Sequence, residues 1–189
     1  MKIEDVKDRV MQCTNCELYK SKKNYVFGEG DTSAKIMFIG EAPGFNEDES
    51  GRPFVGRAGK IFDELLASVN LKRGDIYICN ILKCRPPNNR DPTPTEIAAC
   101  TPYLTAQIDL IKPKVICTLG NYATKFVMRK FNLKDKLESI SRVHGKVFKS
   151  VDLYGTTEII PFYHPAVATY TPEMKDVLLK DFKLLEERK

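Results

Sequence analysis

Six cysteines, and a few polar residues placed just after apolar runs, are the parts of this 189-residue chain that could do chemistry. Cys13 and Cys16, at Cys-x2-Cys spacing, can chelate one metal centre from a single turn, and Cys84 and Cys100 can supply two further thiolates. Four thiolates suit either zinc or an iron–sulfur cluster, and ligand type alone does not separate the two. Cys100 also reads as core, because it shares an apolar helix face. Cys84 sits in an irregular, basic, proline-rich loop that packing does not explain. Cys79 and Cys117 fall inside the runs Ile-Tyr-Ile-Cys-Asn and Val-Ile-Cys-Thr-Leu, where a cysteine acts as a small hydrophobe.

A second group stands at the carboxyl ends of predicted strands. Glu41, Asn80, Gly120-Asn121 and His164 each follow a short apolar run. In an open α/β sheet ligands bind beyond those ends, so convergence of such groups defines a site. The stretch 35–59 is the centre of it: the strand Ile36 to Ile39 ends at Gly40 and opens into a long loop. That loop carries Glu41, Pro43, Glu47-Asp48-Glu49 and Phe54, with glycines where the backbone must approach a ligand or take positive φ. Phe54, between Pro53 and Val55, has little regular structure to pack within, whereas Asp48 and Glu49 read as a solvated loop tip. Of the two histidines, His164 ends a strand beside a proline and His144 lies in a stretch without clear pattern.

The elements that must position these groups alternate. Ile3, Val6 and Val10 predict a first helix, and Ile61, Phe62, Leu65, Leu66 and Val69 a second. A strand over 76–81 leads to the broken loop Lys83-Cys84-Arg85-Pro86-Pro87, and Thr93-Pro94-Thr95-Glu96 is a capping box that starts a third helix. Its inner face is Ile97, Cys100, Leu104, Ile108 and Ile111. A strand over 115–119 precedes a helix to about Met128, residues 147–155 suggest a hairpin with a turn at Tyr154-Gly155, and a strand over 159–163 delivers His164. Thr171-Pro172 opens a last helix. Short apolar strands alternating with helices predict an α/β fold with a parallel sheet covered on both faces, in one domain spanning residues 1–189.

Composition narrows the class of function. The formal net charge of +5 is too small to establish nucleic-acid binding by itself, although Lys20, Lys22 and Lys23, Lys83, Arg85 and Arg90, and Arg52 and Arg57 cluster locally as candidate phosphate contacts. No apolar run approaches the ~20 residues of a membrane span. The start Met-Lys-Ile-Glu-Asp-Val-Lys lacks the apolar core of a signal peptide, so a cytosolic (cytoplasmic) protein is expected. Gly51-x4-Gly56 is followed by Arg57-Ala58 rather than the Lys-Ser/Thr of a phosphate loop, which removes a nucleotide-hydrolase reading.

Taken together, Gly40-Glu41-Ala42-Pro43-Gly44, Glu47-Asp48, Gly51-Arg52-Pro53-Phe54-Val55-Gly56, Asn80 before Cys84-Arg85-Pro86, and His164-Pro165-Ala166 resemble the family 4 uracil-DNA glycosylases of thermophilic archaea and bacteria. The match runs over nearly the whole chain, in the family's order and with its four cysteines. Related families carry an acidic residue or asparagine where this chain has Ala42. The resemblance implies an α/β/α sandwich around a four-stranded parallel sheet. It favours a 4Fe–4S cluster over zinc on Cys13, Cys16, Cys84 and Cys100, and uracil-containing DNA, single- or double-stranded, as substrate of a monomeric repair enzyme.

The resemblance also gives the site residues roles. Phe54 stacks on the extruded ring, Asn80 matches the 4-oxygen and ring N–H of uracil while opposing cytosine, and His164 donates to the 2-oxygen. Gly40 to Ala42 frame the pocket. Glu41 takes over the positioning of water, since Ala42 cannot, and Glu47 is the candidate that excludes the 5-methyl of thymine. After His164-Pro165-Ala166 the family continues with bulky apolar residues and an arginine. Here Val167-Ala168-Thr169-Tyr170 follows, so Val167 or Tyr170 must fill the gap left in the duplex.

Overall fold

The computed structural model describes residues 1–152 and 155–188. Helices α1 (Ile3–Met11) and α2 (Leu18–Ser21) precede a two-residue strand β1 (Glu29–Gly30). Then come β2 (Ile36–Gly40), α3 (Phe45–Ser50), α4 (Arg57–Ser68), β3 (Tyr77–Asn80), α5 (Pro94–Ile111), β4 (Val115–Leu119) and α6 (Asn121–Lys130). The chain ends with α7 (Ile140–Val143), the hairpin β5 (Phe148–Asp152) and β6 (Gly155–Phe162), α8 (Val167–Tyr170) and α9 (Met174–Phe182).

The strands form one sheet in the order β1-β3-β2-β4-β6-β5. β3, β2, β4 and β6 run parallel, as expected, and β1 and β5 extend this four-stranded centre as antiparallel edges. The expected four-stranded sheet is thus the core of a six-stranded one. A two-residue edge strand carries no periodic signal, and the hairpin partner β5 is too mixed in composition to announce its sheet. The predicted turn at Tyr154 lies outside the described residues.

Side-chain alternation makes the two cores. Met37, Ile39, Cys79, Ile116 and Ile159 face one way, against Val6 and Val10 of α1, Leu104 and Ile108 of α5 and Val127 of α6. Ile36, Phe38, Ile78, Cys117, Ile160 and Phe162 face the other way, against Phe62 and Leu65 of α4 and Leu178 and Phe182 of α9. Both in-strand cysteines are fully buried, as read from their neighbours. A strand buried on both faces reads as a continuous apolar run, which is why β2, β3 and β4 were visible. Among the described residues no helix is long and apolar enough to cross a membrane.

The register fixes the working edge. Gly40 and Asn80 are direct partners across β2 and β3, and Leu119 pairs with Phe162 across β4 and β6. β2 connects to β3 on one side and the chain then crosses to β4 on the other, so the crevice opens at the carboxyl end of β2. The capping box of α5 is present: Thr93 N–H donates to Glu96 at 2.8 Å and Glu96 N–H to Thr93 Oγ1 at 3.3 Å.

Candidate active site

The long loop after β2 is more ordered than its composition suggests, and one carboxylate is the reason. Glu47 Oε1 accepts from Val55 N–H and Gly56 N–H, both at 2.8 Å, and Oε2 from Gly44 N–H at 3.1 Å. Those bonds cap α3, which the sequence did not reveal, and hold the segment leading into α4. Asp48, expected to be solvated, is buried and accepts from Lys23 N–H at 2.9 Å and Asn24 N–H at 3.1 Å. An acidic residue that satisfies loop amides is written in the same letters as one that faces water. Glu49 pairs with Lys23 at the surface, as a loop-tip residue does.

Phe54 has φ +53°, a left-handed backbone that turns its ring inward to 5% exposure. Arg73 donates to its carbonyl, and Gly59 packs so closely on that carbonyl that a Cβ there would collide with it. The ring lies 5.5 Å from the His164 imidazole at an interplanar angle of 28°. A Cβ on Gly40 would run into Asn80 Oδ1 and come within 2.7 Å of Phe54 Cζ, so glycine there makes room for both.

Glu41, Ala42, Glu47, Phe54, Asn80 and His164 line one open cavity of about 360 Å3. Residues scattered over the chain are therefore brought to one slot. Asn121 is not among them: Gly120 caps α6, and the Asn121 side chain accepts from Ile140 N–H at 3.0 Å, bracing α7. Asn80 is 1% exposed, yet its Oδ1 has no hydrogen-bond partner. Buried polar atoms are nearly always paired, so an open amide oxygen in a cavity wall is a candidate binding group.

Two titratable groups of the slot, Glu41 and His164, are both pushed by burial toward their neutral forms. Burial pushes the Glu41 carboxyl up to about 7, with Asp91 adding repulsion. Burial pulls His164 down to about 4, against a smaller opposing effect of Glu47, so its ring is neutral near pH 7. Ala166 N–H donates to His164 Nδ1 at 3.1 Å. The neutral ring thus keeps its proton on Nε2 and presents a donor there.

Cys13, Cys16, Cys84 and Cys100 line a second recess, closed by apolar and aromatic side chains such as Val10, Leu18, Tyr25 and Tyr103. Burial and then repulsion from neighbouring thiols push Cys84 up to about 12 and, despite Lys83, Cys100 up to about 11. Thiols so shifted ionise only for a cation. Among the described residues, no three His, Cys, Asp or Glu side chains are gathered as a single-ion site. Four sulfur donors lining one largely apolar recess are the donor type that suits a soft-metal group.

The basic clusters sort themselves. Arg52 pairs with Glu29, Arg90 with Glu96 and Lys20 with Glu17. Lys22 lies over the Tyr25 ring. Lys83, expected as a phosphate contact, is fully buried and cannot be one. Arg57, exposed at the mouth of the cavity, has no ion-pair partner among the described residues. Arg85 lies over the ring of Phe45, 5.1 Å from its centroid, and Phe45 is 55% exposed. Phe45 went unnoticed in the sequence, although a large apolar residue between Gly44 and Asn46 was a signal that could have marked it.

The family model of the Uracil DNA glycosylase superfamily matches residues 27–185. The chain is 50% identical over 184 residues to the type-4 uracil-DNA glycosylase of Saccharolobus solfataricus, covering 96% of this chain and 84% of that one. Against the type-4 enzyme of Archaeoglobus fulgidus it is 47% identical over 186 residues, 98% of this chain and 92% of the other. Against that of Thermotoga maritima it is 44% identical over 183 residues, covering 96% and 91%. With identity at this level along nearly its whole length, the chain belongs to the type-4 uracil-DNA glycosylases.

Proposed function

We propose that the slot receives a uracil turned out of DNA and that the protein hydrolyses its N-glycosidic bond, releasing the free base and leaving an abasic site. The observation that carries this reading is Asn80 Oδ1, buried and without a hydrogen-bond partner among the described residues, in a cavity Asn80 shares with Phe54 and His164. An amide offers a donor to the 4-oxygen and an acceptor to the ring N–H of uracil, and cytosine presents the reverse. As the bond from C1′ to the base breaks, its electron pair passes into the ring and charge gathers on the 2-oxygen. The Nε2–H of His164 is the donor available to meet it. Glu41 orients the attacking water and takes its proton. Ala42, its neighbour, has no polar side chain for the task.

Glu47 lines the slot with its carboxylate engaged by three backbone amides, so any part it takes against a 5-methyl group is through its fixed bulk. Phosphate contact falls to Arg57 and Arg85, and the Phe45 ring offers a neighbouring base a stacking face. Tyr170, 79% exposed at the end of α8, is the side chain free to fill the gap in the duplex, because Val167 packs against the apolar core. Cys13, Cys16, Cys84 and Cys100 hold a 4Fe–4S cluster, which ties the N-terminal segment to the loop after β3. That group supplies structural cross-linking, and the glycosidic chemistry needs none of its electrons.

A uracil-bearing oligonucleotide incubated with the protein and then with alkali breaks at the uracil position; an intact strand overturns the reading. The same preparation absorbs near ~400 nm, as iron–sulfur thiolate sites do, and a colourless zinc-loaded protein overturns the cluster.

Glu41 also sets a pH dependence. Its carboxyl is held up at about 7, so the base form fills in through neutrality and single-turnover rate rises with pH over that range. Glu41→Gln flattens the profile. The same shift costs stability: a carboxyl raised in the folded state favours folding below its ordinary value of 4.5 and loses that advantage as pH rises through about 7. Glu41→Gln therefore melts higher than the parent at pH ~8, with the gap closing below pH ~5. Equal melting temperatures at both pH values would show that Glu41 is not strained in the slot.

A further inference from the structure

Lys83 links the cysteine recess to the slot that holds Asn80. It follows Asn80 by three residues and immediately precedes Cys84, and its side chain is 1% exposed. Its Nζ donates to the backbone carbonyl of Asn80 and to Gln107 Oε1, both at 2.7 Å. Its backbone N–H donates to Cys100 Sγ at 3.3 Å. Gln107 is itself fully buried and is fixed by donating to the Phe27 carbonyl at 2.9 Å and to Tyr77 Oη at 3.0 Å. No carboxylate forms an ion pair with Lys83 among the described residues.

A buried ammonium without an anion is costly, and neutral carbonyls offset only part of that cost. The negative charge it needs is next door, because four thiolates around an iron–sulfur group leave that group anionic. We propose that Lys83 is the internal counter-ion of the group held by Cys13, Cys16, Cys84 and Cys100, and that the same ammonium positions Asn80, coupling the cysteine recess to the base-reading slot. Lys83 lines the cysteine recess and not the base slot, so it is a positioning residue. The inference rests on the iron–sulfur reading above.

The test is Lys83→Met, which keeps the stem and removes the charge, alongside Gln107→Glu, which is nearly isosteric and places a carboxylate against the ammonium. In the whole iron–sulfur-loaded protein, both variants shift the cluster's midpoint potential negative, because the reduced, more anionic state loses its compensating charge. In Lys83→Met, the dissociation constant for free uracil rises about tenfold, as expected for loss of the charge-assisted hydrogen bond to the Asn80 carbonyl that fixes a wall of the slot. If Lys83→Met does not fold, Gln107→Glu carries the potential readout. A folded variant with unchanged potential, or a folded Lys83→Met with unchanged uracil affinity, overturns the proposal, since one residue is held to serve both. A parent protein without the iron–sulfur absorption sinks the cofactor reading and this one together; a normal parent spectrum with unmoved variants sinks this one alone.

Discussion

His164→Ala lowers the single-turnover rate of uracil release by ~10²–10³-fold, the loss expected when a preorganised donor to a developing oxyanion is removed. The argument rests on protonation as much as on position. The Ala166 N–H occupies Nδ1, and burial keeps the imidazole neutral well above its value of about 4, so Nε2 bears a hydrogen across the working range. A neutral donor meets an accumulating negative charge without first having to lose a proton to the leaving base. The deficit should therefore be the same at every pH where Glu41 is ionised. Rapid-quench measurement with enzyme in excess reads it directly, and a loss smaller than about threefold removes His164 from the mechanism.

Asn80→Asp lowers uracil release by about 10–10²-fold and erodes discrimination against cytosine, because a carboxylate has no donor for the 4-oxygen and is stranded at a site that is 1% exposed. The shape of the slot is retained, since the two side chains are nearly isosteric, so the effect reports hydrogen bonding and charge rather than packing. Competition between uracil- and cytosine-bearing strands measures it. Unchanged selectivity would show that another group reads the base.

The parts of the fold that repeat were legible before any coordinates: apolar runs for strands buried on both faces, the helical spacing of α1, α4 and α5, and the Thr93–Glu96 cap. The slot was legible for a related reason. Parallel strands deliver whatever follows them to one edge, so Glu41, Asn80 and His164 could be gathered without knowing a distance. What stayed hidden were polar residues that turn inward. Asp48 and Glu47 satisfy backbone amides, and Lys83 feeds a carbonyl and an amide, yet each sits among glycines, prolines or other charges that normally mark solvent. Burial of a charge depends on partners distant along the chain, and no local pattern encodes them. Asn121 failed in the opposite direction: it occupies the right edge, and its side chain is consumed by α7.

Three loop amides converging on one carboxylate have a kinetic meaning. Val55, Gly56 and Gly44 are anchored before any DNA arrives, so the ordering of this mouth is completed during folding. The arriving base meets a finished mould rather than a lid that must shut. On the proposed reading, the slow conformational event falls to the nucleic acid, in the unstacking of the nucleotide, and strands that already hold their bases loosely should be processed fastest.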